Sequence, residues 1–363
     1  MYFIQIPLTI PVIDGIIEIY TRRIRVKMNG GSKMSKKTRR MATKLFCLVL
    51  AVVCLVACIA PASAASPKST VSKKATLAYT LKGLPLGRAV QNFYMGSTYI
   101  YITQRVDATT YVSRLKMDKT NKVANYVDRM TFTNCGHGQS LDMYTYKDVN
   151  YMYMGCKADT DSGYNWSLQI ARIKYEAGKS YNYTDLRRFT YMNYANATGY
   201  RMGDNYRVAA AVCGDTTVFR VQTKNSSKVN YSAYNTTALN KLLDANKTVD
   251  MRTSGAKKAH LWTNVQSGSS IIRPNESFQG IDLFSRWRIY LSGGGHGETP
   301  QIAKTNSNGT YLKLVKISNV GKLEIEGIQC KDSKVYFLIV PGTTTALKKN
   351  SHKIYYLNES VFD

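Results

Sequence analysis

The sequence predicts an all-β fold, a five-bladed β-propeller of four-stranded antiparallel blades with one short helical insertion between blades three and four. Three observations predict it. A polar-led alternating segment recurs five times along the chain. Each copy is followed by a turn and a second apolar run. And 27 tyrosines against 8 prolines in 363 residues favour strands and wet aromatic surfaces over helical bundles.

The copies are "VQNFYMGSTYIYITQ" from Val90, "GQSLDMYTYKDVNYMYMGC" from Gly138, "ATGYRMGDNYRVAAAVC" from Ala197, "SFQGIDLFSRWRIYLSGG" from Ser277 and "IEGIQCKDSKVYFLIV" from Ile325. Their leading residues are Gln91, Gln139, Thr198, Gln279 and Glu326. A small or short residue follows each: Asn92, Ser140, Gly199, Gly280, Gly327. Apolar or aromatic side chains come two and four places after the lead, the period of a strand with one packed face. Second strands return over 98–104, 150–156, 207–213, 288–293 and 335–340, and third strands over 111–117, 168–175, 216–223, 301–305 and 352–357. Stretches such as "YVDRMTFTN" and "TYLKLVKIS" supply fourth strands. A lone meander exposes two edges and cannot bury its apolar face, whereas five in succession can close radially. The small second residues suit a narrow axis where backbones crowd. The widest gap, after the third copy, contains "TTALNKLLDANK" (236–247), a short helix opened by Thr.

The N-terminal region reads as targeting sequence. From Met34 a basic stretch leads into an apolar run, Leu45–Ala60, and Ala62-Ser63-Ala64 offers small residues for cleavage between Ala64 and Ala65. Residues 1–33 read as an upstream extension ahead of the true start, 34–64 as a secretory signal peptide, 65–76 as a linker and 77–363 as a single propeller domain. "LVAC" resembles a lipobox, which gives lipid anchoring at Cys58 as the alternative to release. Beyond Ala65 no apolar run reaches spanning length.

Ten of the 50 basic and two of the 23 acidic residues precede Ala65, leaving 40 against 21, a net charge of +19. An exported protein this basic is expected to meet anionic partners, whose encounter its field speeds. The basic residues are spread, without a tail or a recognisable nucleic-acid module, so no specific nucleic acid is expected. Cys135, Cys156, Cys213 and Cys330 fit no zinc spacing, and their pairing is left open. No cofactor or metal is expected, and the chain is expected to act as a monomer.

"PNESFQGIDL…RIYLSGG", "KLEIEGIQC…VYFLIV" and "CGHGQSLDMY", with the helix "YNTTALNKLLDANK" after "VFRVQ", resemble the helveticin J family of large heat-labile bacteriocins. The Gln-led strand and Gly-His-Gly turn also resemble a wider group of five-bladed phage receptor-binding and teichoic-acid-associated propellers. The resemblance spans roughly residues 77–358 and departs at Thr198 and Glu326, where the pattern has Gln. It implies a secreted propeller that recognises a Gram-positive envelope and, in the bacteriocin branch, kills.

Two Gly-His-Gly turns place His137 before a first strand and His296 between second and third strands, so both are expected to rim one end of the ring. With Gln91, Gln139, Gln279 and Glu326 they form the candidate ligand set, for saccharides or anionic envelope polymers. A structural role, amides bonding adjacent strand starts, stays open beside it. Asp142 and Asp282 stand three places into their strands and would be the acid pair of a propeller glycosidase. No hydrolase elbow, zinc-protease motif or phosphate loop accompanies them, and the expected mode is binding without catalysis.

Overall fold

The computed structural model describes residues 65–226, 228–349 and 351–363. The expected upstream extension, leader, Cys58 and Ala64 lie outside the described residues.

Strands dominate, arranged as five antiparallel meanders. The first is Val90–Met95, Tyr99–Val106, Thr109–Asp118 and Val123–Thr133; the second is Leu141–Tyr146, Val149–Ala158, Ser167–Ile173 and Arg187–Thr190. The third is Asn205–Cys213, Thr216–Thr223, Lys228–Asn235 and His260–Ser267. The fourth is Gly280–Ser285, Arg288–Gly293, Gln301–Asn306 and Tyr311–Ile317. The fifth has Ile325–Lys331, Lys334–Ile339 and Lys353–Asn358, and takes its fourth strand, Thr76–Lys82, from the other end of the sequence. Each first strand neighbours the next, and Ile325–Lys331 returns to Val90–Met95, so the five first strands follow one another around a closed, propeller-like ring.

The ring is held at its axis by side chains clipping one first strand to the next. Asp142 accepts from its own neighbour Met143 N at 2.8 Å and from Val212 N on the third meander at 2.6 Å. Asp282 accepts from Cys330 N at 2.5 Å, and Gln329 Oε1 from Met95 N at 2.8 Å. Asn92 Nδ2 donates to Gln139 O, and Ala210 N to Ser140 Oγ, both at 3.0 Å. The crowding explains the small second residues. A Cβ on Gly280 would stand 3.1 Å from Gly327 Cα, and one on Gly327 would stand 2.9 Å from Asn92 Cα.

Between meanders the core is aliphatic and aromatic. Phe93, Ile100, Ile102 and Leu115 pack with Leu338 and Ile354 at the fifth-to-first junction; each such burial contributes about 1.5–3 kcal/mol. The outer edges are mostly covered. Ser69–Lys73 pairs in parallel with Tyr311–Ile317, Thr248–Asp250 with Arg187–Thr190, and Thr76–Lys82 with Val123–Thr133.

Three sequence expectations change. The stretch 65–76, read as a linker, carries the strand Ser69–Lys73. In the third unit Thr198 lies in a loop, and Asn205–Cys213 is a first strand rather than a second. Local hydrogen bonding decides this: Asn196 Oδ1 accepts from Thr198 N, Thr198 Oγ1 and Gly199 N, and its Nδ2 donates to Tyr200 O, fixing a turn where the repeat suggested a strand. The helix Thr236–Ala245 lies inside the third meander, between its third and fourth strands, instead of between units. Its cap is Asn235, whose side chain accepts from Ala238 N.

Candidate functional site

The starts of the first strands converge on a buried polar ring. Gln139 Nε2 donates to Gln279 Oε1 at 2.8 Å and to Glu326 Oε2 at 3.2 Å, and Gln279 Nε2 donates to Glu324 Oε1 at 3.0 Å. Three of the five predicted leading residues therefore meet. Gln91 is also buried, and its Oε1 has no hydrogen-bond partner. The third unit contributes Arg207 in place of Thr198, its guanidinium donating to Gln139 Oε1.

Arg207 belongs to a longer stack. Its guanidinium carbon lies 4.0 Å from the centroid of one Trp166 ring and 4.6 Å from that of Phe278. On Phe278 a second arginine, Arg220, sits at 3.6 Å. Both guanidiniums are buried, and neither has a carboxylate at ion-pair distance among the described residues. Arg220 is satisfied by Tyr231 Oη and Gln222 Oε1, whereas Nε of Arg207 has no hydrogen-bond partner. Aromatic faces thus replace counter-charges, an arrangement that offsets only part of the cost of burying a cation.

His137 is held rigidly at the rim. Gly136 and Gly138 on either side have φ of +99° and +85°, and a Cβ on Gly138 would press on Thr103 Cβ at 3.2 Å. Their carbonyls accept from Thr110 Oγ1 and Thr103 Oγ1 on the first meander. The imidazole stacks on Trp166, centroids 4.1 Å apart, and its Nδ1 lies 2.7 Å from Tyr164 O. Burial pushes His137 down to about 3, against the Tyr164 hydrogen bond and with Arg105 and Arg207 adding to the fall. The ring is therefore neutral, Nδ1 donates to Tyr164 O, and Nε2 remains an acceptor.

His296 is exposed, and its imidazole acts electrostatically on Glu324. Contacts from His137 through Trp166, Arg207, Gln139 and Gln279 thus reach Glu324, on which His296 acts only through its charge. Burial, then Glu324, push the Glu326 carboxyl well up, while Arg207 opposes them. Burial thus favours the protonated form of Glu326, which can donate a hydrogen bond as well as accept one.

Asp142 and Asp282 lie deeper along the axis. Burial pushes both carboxyls up, and in Asp282 the neighbouring Asp142 adds to the rise. Both are committed to backbone N–H groups of the strand that follows them around the ring. Among the described residues no group of three or more His, Cys, Asp or Glu side chains could hold a metal ion. The four cysteines among the described residues are free thiols, Cys135 and Cys156 buried, Cys213 and Cys330 half-buried.

Sequence reading missed Arg207, Trp166, Phe278 and Glu324. A signal for Arg207 existed: a lone cation heading the otherwise apolar "RVAAAV".

Comparison with curated protein sequences returned no match. Among solved structures the chain is similar to a glycoside hydrolase of the GH43_1 group from Xanthomonas citri, with 10% identity, 78% of this chain and 89% of that one covered, and a TM-score of 0.41. CoXyl43, a β-xylosidase/α-arabinofuranosidase from a compost metagenome, gives 9%, 78%, 94% and 0.42 for the same quantities. A β-1,2-mannobiose phosphorylase from Listeria innocua gives 8%, 77%, 93% and 0.38. At this distance the likeness bears on neither substrate nor chemistry. The family model described as bacteriocin helveticin-J matches residues 69–322, well over half of the sequence. The chain belongs to the helveticin J family.

Proposed function

We propose that the protein is an exported bacteriocin, folded as a five-bladed propeller, that uses the polar end of its ring to bind anionic polymers or saccharides of Gram-positive envelopes, and that it acts without catalysing a reaction. The observation that carries this reading is the buried Arg207, held by Trp166 and Phe278 instead of a carboxylate, beside the Gln139–Gln279–Glu326 ring. A guanidinium whose Nε lacks a partner favours an anionic oxygen, while neighbouring amides and a buried carboxyl suit hydroxyls. The family, the +19 charge of residues 65–363 and the leader-like sequence before them support the same reading. Five blades accord with five first strands arranged in a ring, and the commitment of Asp142 and Asp282 to backbone N–H groups argues against their use as an acid pair.

The test is colony counting of several Gram-positive strains exposed to purified 65–363, with heat-denatured protein as control. Binding to isolated walls, intact or stripped of teichoic acid, is measured in parallel. Killing of some strains, with weaker retention on stripped walls, is expected. Full survival with retention makes the protein a non-lethal wall binder. Equal retention on both walls removes the anionic polymer.

A further inference from the structure

A second aromatic assembly lies at the opposite end of the fourth meander from Gln279. Trp287 sits in the turn between Gly280–Ser285 and Arg288–Gly293, and 46% of its surface is exposed. Trp262, on the outer strand His260–Ser267 of the third meander, stacks beside it, with centroids 6.4 Å apart and ring planes 27° from parallel. Two of the three tryptophans in the chain thus meet at a surface where one is half in solvent. Indole is costly to leave wet, so an exposed, ordered pair is informative in a way that a scattered apolar side chain is not.

The pair is held in place. Ser307 N donates to Trp287 O at 3.1 Å, fixing the 306–310 turn against the tryptophan turn. Gly309, with φ +78°, leaves room for the Asn264 side chain, which a Cβ there would meet at 2.7 Å. Beside the rings, Trp262 Nε1 and Asn264 Oδ1 are buried with no hydrogen-bond partner, one a donor and one an acceptor, two residues apart on one face of the strand. Nearby stand Ser285, Ser307 and Asn308, the last exposed. Arg286, itself exposed, lays its guanidinium 4.7 Å from the Trp287 ring centroid, over a face that a ligand can take by displacing it.

We infer that the Trp262–Trp287 pair is a glycan-binding platform, distinct from the polar ring, which stacks the apolar C–H face of a pyranose in an envelope polysaccharide and offers hydroxyl and amide groups to its edge. A lipid surface would want aliphatic neighbours around the indoles. Here the surrounding side chains are amides and hydroxyls, while the exposed Val265 stands three places from Trp262 and so projects from the strand's other face, and the exposed Leu261 is the extra residue of a bulge between His260 and Trp262. The platform needs neither the ring site nor killing, so it stands or falls separately from the reading above. With two sites at opposite ends, one molecule could engage a polymer at both, and retention would exceed what either site gives alone.

The test uses purified 65–363 and Gram-positive sacculi stripped of teichoic acid, in about 1 M NaCl, where charges are screened within about 3 Å. Salt-resistant retention is expected for the parent protein, and Trp287→Ala should weaken it about tenfold, equivalent to about 1.4 kcal/mol. Arg286→Ala should keep or strengthen it, because stacking needs the face that Arg286 covers. Unchanged thermal unfolding certifies the folding of each variant, and Trp287→Phe, which restores a ring, should recover part of the retention. Retention that is absent in high salt, or equal in Trp287→Ala and parent, overturns the platform. So does a Trp287→Ala loss confined to phosphatidylglycerol vesicles, which would make the pair a lipid contact.

Discussion

Acid should open the ring at the junction of its fifth and first meanders, through His352. This side chain is buried completely, its Nε2 accepts from Val90 N at 3.2 Å, and its Nδ1 has no partner. The backbone carbonyl of the same residue accepts from Leu81 N, so His352 links the last segment of chain to both the closing strand and the first strand of the ring. Burial lowers its pKa from 6.5 to about 4. The folded protein therefore binds the proton less tightly than the unfolded chain does. The stabilisation is complete above about 6.5 and is lost as pH falls toward about 4. At about pH 4.5 this linkage costs about 2.5 kcal/mol relative to about pH 7.5, taking about 1.36 kcal/mol per tenfold change in proton affinity. His352→Gln keeps an acceptor for Val90 N and removes the titration. Urea unfolding of parent and variant at the two pH values measures the difference. Asp142, Asp282 and Glu326, whose pKa values are raised, favour the folded state at low pH, but they do so in both proteins and cancel in the comparison. If the two proteins lose stability in parallel, within about 0.5 kcal/mol, the reasoning about His352 fails.

Other expectations follow from the same geometry. Asp142→Ala strands the Met143 and Val212 N–H groups and should destabilise by about 2–5 kcal/mol, read from denaturant midpoints. At near-neutral pH, if the variant stays folded, wall retention should persist, whereas a catalytic or ligand role would abolish it. Lys304→Met removes one partner of buried Glu359, 3.0 Å away, leaving it Tyr290 Oη at 2.5 Å and Arg288 at 3.8 Å, and should lower stability by about 1–3 kcal/mol in the same assay. Gly327→Val forces a side chain against Asn92 at the crowded axis and should cost at least about 1–3 kcal/mol, seen as a fall in melting temperature. Arg207→Met, which keeps length and apolar bulk, should retain the fold while the salt-sensitive part of wall retention falls, measured by co-sedimentation across a salt series.

Period-two patterning made much of the fold legible before any coordinates. The first strands at Val90, Leu141, Gly280 and Ile325 follow it closely because one face of each is packed and the other meets a crowded axis. It failed at Ala197–Gly203, where an apparent repeat is a turn built by Asn196, a short-range competition that alternation does not register. It also could not show that Thr76–Lys82 completes the fifth meander, since that pairing joins segments at opposite ends of the sequence. For the site, Gln139, Gln279 and Glu326 were readable from their shared offset. Trp166, Phe278 and Arg207 were not, because they come from unlike positions and meet only after the meanders dock.

The pairing of Thr76–Lys82 with Lys353–Asn358 also has a temporal meaning. A partly synthesised chain can pair Thr76–Lys82 only with Val123–Thr133, so the fifth sheet stays incomplete until Lys353–Asn358 has been made. Joining ends this far apart carries a large loop-closure entropy and predicts slow, late closure.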